Sequence, residues 1–436
     1  MKHLITKLIC LLAVIALIFS LVPSVVAVSE NNDNEILFGR KQLLKMENGE
    51  ALTAAYDKIV EGVENREERI SLEDLSITED ELFCLVNAYL NDPHGHFWLS
   101  NSYSYSMSYD GNILSFNPDY NYLLGSDEKE FIKNVDAFNK AAEDLIRKAG
   151  ITDDMDEYEK ELRLHDVLVR ELTYASSVNA HNLYGAIVEK VAVCQGYSYA
   201  FNYLLRLCGI EAHYVKGTSH GMSHGWTLVN INGHYYYTDV TWDDPVGSDD
   251  NSDDIYHTYF NVTDSFLHKD HEWVPPIYGL PDCDDKDDNF FEHNPEHVIT
   301  SEPDVEEFAK LFVDGIAYVF VPDDCEFDVV SWFFANAGMI VYYAGYDMTQ
   351  EISVGCSFMG NEYHLMIITA EDEEPLLGDF DGDGRINAVD ANIIKRLLSG
   401  ALMPTDEQRA VCDINGDGSF NGVDANLLKR ILVGNS

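Results

Sequence analysis

Apolar positions along the chain change period several times, and each change marks an element. Leu52, Ala55, Tyr56, Ile59 and Val63 recur every three or four residues and predict a helix. SYSYSMSYDGNILSF alternates instead, at Tyr103, Tyr105, Met107 and Tyr109, before an Asp-Gly turn. It predicts a hairpin whose tyrosines line one face of a sheet. Helical spacing returns at Phe131, Ile132, Val135 and Phe138, and again at Leu162, Leu164, Val167 and Leu168. Ala200, Phe201, Leu204, Leu205 and Cys208 form one more helical face, and Gly209 supplies its stop. HGWTLVNINGHYYYTDVTWDDP then reads as two β-rich runs around Asn232–Gly233, the strongest short hairpin signal there is. Residues 290–370 add a helix from about Val305 to Phe312 and three strand-like runs, IAYVFV, MIVYYAG and YHLMIITA. EDEEP, at 371–375, breaks the pattern and opens a linker over 371–377.

The first residues, MKHLITKLICLLAVIALIFSLVPSVVA, combine early lysines, a continuous apolar run and small residues. They predict a secretory signal peptide over 1–27, the alternative being an uncleaved membrane anchor. No later segment is long and apolar enough to span a bilayer, so the expectation is an exported protein with no membrane contact after cleavage. A chain of 436 residues predicts two or three domains. Its net charge of −48 argues against nucleic acid or an anionic membrane as partner, because both would repel it. Eight cysteines fall to seven once Cys10 leaves with the signal; an odd, irregularly spaced set is a poor disulfide framework and leaves at least one thiol free.

One thiol stands apart. In VAVCQGYSYAFNYLLRLCG, Cys194 falls where the helix begins, and there unpaired amides and the helix dipole favour a thiolate. Cys208, on the apolar face of the same helix, reads as core. A nucleophilic thiol needs a base, and the base an orienter. A two-residue turn at 232–233 sets Trp226 opposite Asp239, so His224 projects from the same sheet face as Asp239, one diagonal away. Such neighbours are about 7–8 Å apart, within reach of an imidazole–carboxylate hydrogen bond. His220 and His224 would suit a metal on a helix, but Gly221 and Gly225 argue for a strand, where four residues span about 13 Å. His268 and His271, in HKDHEW, read as surface or packing residues, and His234 lies beside the turn. The acidic run DDPVGSDDNSDD (243–254) is either a solvated loop or a rim for basic substrates or calcium.

The C-terminal region says one thing twice, 34 residues apart: LGDFDGDGRINAVDANIIKRLLSG and VCDINGDGSFNGVDANLLKRILVG. In the first copy Asp379, Asp381 and Asp383 occupy loop positions one, three and five. Gly384 makes the turn at six, Arg385 lends its carbonyl at seven, and Asn387 and Asp390 stand at nine and twelve. Asp413, Asn415, Asp417, Gly418, Ser419, Asn421 and Asp424 repeat the series. Alternate oxygen ligands wrapped in this way form a cage for Ca²⁺, and two loops predict two sites. Each repeat alone has too little core to fold, so the metal is expected to supply much of the folding free energy. The pair, 378–436, resembles a dockerin module, including Lys395–Arg396 and Lys429–Arg430 on the exit helices. That resemblance implies an all-α, two-EF-hand-like domain that plugs into a cohesin module on a scaffoldin of a cellulosome. Dockerins often carry Ser-Thr after position nine; here Ala388–Val389 and Gly422–Val423 stand there, which leaves the cohesin type undefined.

VCQGYSYAFNYLLRLCGI with HGWTLVNINGHYYYTDVTWDDP, extended by LRLHDVLVRELTYA and YHTYFNVTDSF, resembles the transglutaminase-like superfamily in its secreted bacterial branch. The resemblance implies an α+β catalytic domain of papain/transglutaminase type, a helix carrying the cysteine against an antiparallel sheet. Cys194 corresponds by position to the nucleophile, His224 to the base and Asp239 to the orienter. Relatives often have Ala-Trp-Asn after the histidine where this chain has Gly225, Trp226 and Thr227. The expected order is a mostly helical N-terminal extension with a hairpin (28–150), the catalytic domain (151–290), an α/β extension (291–370), the linker and the dockerin. The expected function is a secreted, cellulosome-attached thiol enzyme acting on protein or peptide amides. A non-catalytic accessory subunit of the same fold is the alternative; a glycoside hydrolase lacks a convincing carboxylate pair.

Overall fold

A computed structural model describes residues 36–244, 255–350 and 352–369, with the single positions 380, 393 and 397. The signal segment, most of the acidic run and every ligand position of the two calcium loops lie outside the described residues. The chain divides into two compact units. One comprises the residues through Ser301 with Val319–Phe327 and Phe358–Tyr363; the other comprises Glu302–Tyr318, Asp328–Ser357 and the chain from His364.

The first unit opens with helices α1 (Phe38–Leu44), α2 (Gly49–Glu64) and α3 (Glu79–Asn91). Leu52, Ala55, Tyr56, Ile59 and Val63 are all fully buried, as their spacing on α2 predicts. Thr78 starts α3 with a reciprocal capping box to Glu81, which satisfies two amide donors at once. The buried Asp92 carboxylate then ties this end together: it accepts from the amides of Gly39 and Arg40 and from the Tyr56 hydroxyl, and it pairs with His213. These helices share one core with Val215, Trp226, Leu228 and Tyr237 of the later sheet, so the boundary expected at 150/151 does not separate two units. The tyrosine stripe forms the antiparallel hairpin β2 (Leu99–Met107) and β3 (Ile113–Tyr120), with the short β1 (Ile70–Ser71) on the other edge of β3.

Helices α4 (Glu128–Ala149) and α5 (Glu157–Glu171) precede the parallel pair β4 (Thr173–Tyr174) and β5 (Val191–Ala192), then helix α6 (Cys194–Leu207). Strands β6 (Ala212–Ser219), β7 (Met222–Ile231), β8 (His234–Thr238) and β9 (His271–Glu272) make an antiparallel sheet in the order β8-β7-β6-β9. The β7–β8 turn is Asn232–Gly233, both at positive φ (54° and 91°), which matches the twist a two-residue hairpin requires. Ile231 therefore faces His234, and Thr227 faces Thr238.

The second unit holds α7 (Val305–Ala309), α8 (Val329–Tyr343) and most of a sheet of β10 (Ile316–Phe320), β11 (Ile352–Met359) and β12 (Glu362–Thr369) in the order β10-β12-β11. IAYVFV and YHLMIITA fall on strands, but MIVYYAG lies in α8. That apolar run begins at Val329, too long for a strand, and Asp328 caps it by accepting from the Ser331 amide. The buried set Val329, Trp332, Phe333, Ile340 and Val341 has helical spacing. Among the described residues no helix is long and apolar enough to cross a membrane.

Candidate active site

Two backbone contacts fix the start of α6. The Val193 amide donates to Ala180 C=O (3.0 Å), and the Ala175 amide donates to Ala192 C=O (3.1 Å). The first helical bond runs from the Tyr197 amide to Val193 C=O, so the amides of Cys194, Gln195 and Gly196 have no partner within the helix. Val193, the N-cap residue, offers no side-chain cap in their place. Gly196 permits the approach of the 180 segment: a Cβ there would lie 2.4 Å from Ala180 O. Cys194 is half-buried and not in a disulfide. Cys208 ends the same helix as a buried thiol, and burial pushes its pKa up to about 11. It is a core residue.

The hairpin register carries the base and its partner. His224 Nε2 lies 2.5 Å from Asp239 Oδ2. Nδ1 is the imidazole nitrogen that Asp239 leaves over, and the nearby Cys194 side chain also favours the charged ring. Asp239 Oδ1 accepts from the amides of Thr241 (3.0 Å) and Trp242 (3.2 Å), so the turn after β8 fixes the carboxylate. Burial works against a charge on His224, but the Asp239 charge and hydrogen bond, together with Cys194, outweigh it and push the imidazole up to about 10. Burial alone would raise Asp239; the charge and hydrogen bond of His224, then those of His271, hold it well below the usual carboxylate range. Cys194, His224 and Asp239 thus gather at one point, with the imidazole and the carboxylate in direct hydrogen bond.

His271 is the residue that the sequence reading passed over. It is fully buried, not on the surface, and its Nε2 lies 3.1 Å from Asp239 Oδ2. Nothing local announces this. β9 joins the sheet through pairing with Ser219 and Thr218, half a hundred residues back along the chain, and no turn signal connects them. His220, by contrast, packs its ring against Trp242, centroids 5.2 Å apart, and donates its backbone amide to Asp270 C=O at 3.0 Å.

The Ala-to-Gly and Asn-to-Thr departures after the histidine also gain a reason. A Cβ on Gly225 would sit 2.2 Å from the Tyr214 hydroxyl oxygen and 2.5 Å from two of its ring carbons. Tyr214 thus fills the space that an alanine methyl would occupy. Thr227 Oγ1 lies 2.7 Å from the Asn202 side chain, whose amide nitrogen donates to it; Asn202 O then accepts from the Tyr214 amide at 3.0 Å. Helix α6 and strands β6 and β7 are stitched together at that point.

A second histidine–carboxylate cluster lies outside this site. Asp166 Oδ1 is 3.1 Å from His165 Nδ1 and 3.0 Å from His257 Nε2, and His165 Nε2 is 3.2 Å from Asp243 Oδ2. In each cluster three potential ligand atoms lie within 4.8 Å of one another. The imidazole–carboxylate hydrogen bonds account for that spacing without a cation.

A cysteine at the head of a helix, set against an antiparallel sheet that carries histidine and aspartate, defines a fold of transglutaminase and cysteine-protease type. Residues 146–275 match the family model of the Transglutaminase-like superfamily, and residues 377–433 match that of the Dockerin type I domain. The chain therefore joins a transglutaminase-like domain to a C-terminal dockerin, a kind of module that binds calcium and places its bearer in a cellulosome. No curated protein matches the chain. Among solved structures it is similar to a TGase at 18% identity and TM-score 0.24, over 36% of this chain and 48% of that one. A candidate cysteine protease from Cytophaga hutchinsonii is similar at 14% identity and TM-score 0.21, over 32% and 61%. A candidate protease from Parabacteroides distasonis follows at 8% and 0.21, over 62% and 61%. The chain thus spans between 48% and 61% of the length of these relatives.

Proposed function

We propose that this protein is an extracellular thiol enzyme acting on protein or peptide amides, held in a cellulosome by its dockerin. The Cys194 thiolate, its proton held on His224, attacks a carboxamide carbonyl, and the electron pair of the C=O bond moves to oxygen. Free amides at the start of α6, that of Cys194 first, face the developing oxyanion. As the C–N bond breaks, the imidazolium of His224 gives its proton to the departing amine and a thioester remains. Asp239 holds the ring and stabilises its charge. Water, deprotonated by the now neutral His224, releases the acid and restores the thiolate–imidazolium pair; an amine in its place forms a new amide. One observation carries the reading: Asp239 occupies Nε2 of His224, which leaves the other nitrogen to the thiol.

For the dockerin, the donor set at Asp379, Asp381, Asp383, Asn387 and Asp390, repeated at Asp413, Asn415, Asp417, Asn421 and Asp424, suits a hard cation, with Arg385 and Ser419 adding carbonyls. Ca²⁺ at these two loops would shape the face presented to a scaffoldin cohesin.

One experiment tests both halves. The full chain is incubated with a mixed protein substrate and a labelled primary amine, and mass spectrometry scores cleavage, deamidation and amine incorporation. Wild type is expected to give at least one of these products, and Cys194→Ala none, while both proteins retain cohesin binding. Calcium chelation is expected to abolish cohesin binding and spare the chemistry. Product from Cys194→Ala would sink the catalytic assignment.

A further inference from the structure

The reaction scheme leaves His271 idle, although it is fully buried and touches the carboxylate of the proposed triad. Its Nε2 faces Asp239 Oδ2 at 3.1 Å, and its Nδ1 faces Asp270 Oδ1 at 2.5 Å. Ionised carboxylates only accept hydrogen bonds, so both ring nitrogens must carry hydrogen and the ring is an imidazolium. The surrounding groups support that state. Burial opposes the charge, but the hydrogen bonds to Asp239 and Asp270 outweigh it and raise His271 above the ordinary histidine range. The Tyr259 hydroxyl donates to Asp270 Oδ2 (2.6 Å), and this bond with that of His271 helps hold Asp270 ionised. His268 reaches only the backbone carbonyl of His271, at 3.3 Å.

We infer that His271 is a fixed cation behind Asp239, a positioning residue that limits how tightly Asp239 holds the proton on His224. This inference rests on the proposed triad. Asp239 serves His224 in two opposed ways. It orients the ring, and it stabilises the imidazolium that must later give up its proton. A general acid works best with a pKa near the working pH, and His224 already stands at about 10. A second positive charge, with its ring centroid 5.4 Å from that of His224, disfavours the charged base by roughly one pH unit. The same contact is mechanical. Two imidazoles on Oδ2 and two amides on Oδ1 leave the carboxylate no second rotamer.

The test is His271→Gln, whose amide can still donate to Asp239 but carries no charge. The high-pH limb of the kcat/KM profile is expected to move up by about one pH unit, with a several-fold lower kcat near neutrality. A uniform fall in rate with the limb unmoved would show a merely structural role and overturn the inference. The ¹⁵N shifts of the wild-type imidazoles serve as a second measurement, one that depends on neither the folding of the variant nor turnover. His271 is expected to stay doubly protonated as pH rises past the ordinary histidine value near 6.5. A ring already neutral at that ordinary value overturns the inference. Absence of any thiol-dependent product in wild type would end the proposed function instead, and the ¹⁵N titration would still decide the state of His271.

Discussion

Asp239 and Asp166 occupy matching positions in two different clusters. Each shares one carboxylate oxygen between two imidazoles, at 2.5 and 3.1 Å for Asp239 and at 3.1 and 3.0 Å for Asp166. Local charge therefore does not separate them. Their surroundings do. The Asp239 cluster meets a half-buried thiol at the amide end of a helix, while the Asp166 cluster is closed by the buried Asp243 and by Phe290, which stacks on His257 at 3.8 Å. A histidine–carboxylate pair is as much a way of building an interior as of doing chemistry, and the nucleophile beside it decides which.

The largest expected effect breaks this comparison at its two carboxylates. Asp239→Asn leaves the shape but turns an acceptor pair into a group that must also donate, so the imidazole loses its orientation and its stabilised charge. The rate of thiol-dependent turnover is expected to fall by about 10³–10⁴-fold. Asp166→Asn changes its own cluster in the same way and is expected to lower the melting temperature while leaving that rate near wild type. Equal losses of rate in the two variants would mean that the clusters act as one site.

The two clusters were also unequally legible. His224 and Asp239 lie on one two-residue hairpin, and an Asn-Gly turn sets the register of everything it joins, so their meeting could be worked out on paper. Cys194 was visible because an apolar run gives way to a helical period there. His165, Asp166, Asp243 and His257 come from a helix, the turn after β8 and a later loop. His271 arrives on a two-residue strand. Contacts of that kind depend on how elements pack, and no local pattern encodes them. The segment MIVYYAG failed for a related reason: an apolar run carries no period until its length and its cap at Asp328 are taken into account.

A smaller effect sharpens the structural side of the comparison through pH. His165 is fully buried; desolvation opposes its charge, but the hydrogen bonds to Asp166 and Asp243 outweigh it and push it up to about 9. A folded value above the unfolded one near 6.5 means that the protonated ring stabilises the fold. That stabilisation is complete below pH 6.5 and is lost as pH rises through 9. The full shift would correspond to about 3 kcal/mol, and about 2 kcal/mol is the expected size once relaxation of the buried pair is allowed for. In denaturant unfolding, wild type should lose that amount relative to His165→Gln between pH 6 and 10. Parallel pH curves for the two proteins would remove the imidazolium from this cluster.

The smallest effect concerns the wall beside the base. Gly225 pairs with Lys216 in the β6–β7 ladder, so its backbone has little freedom to withdraw. Tyr214 is itself nearly buried and tilts against Tyr199 at 4.9 Å, so its ring cannot simply swing away. Gly225→Ala, which restores the residue common among relatives, is therefore expected to overpack the site and cost about 1–2 kcal/mol of stability. A several-fold fall in kcat/KM should accompany it, because the displaced ring lies against Gly225, the residue that follows His224 on β7. The cause can be isolated with a double-mutant cycle. In a Tyr214→Ala background the added methyl enters the space the ring has left, and the cost of Gly225→Ala should largely vanish. If that cost is the same in both backgrounds, the tyrosine is not what requires glycine at this position, and the departure from Ala-Trp-Asn has some other origin in the strand.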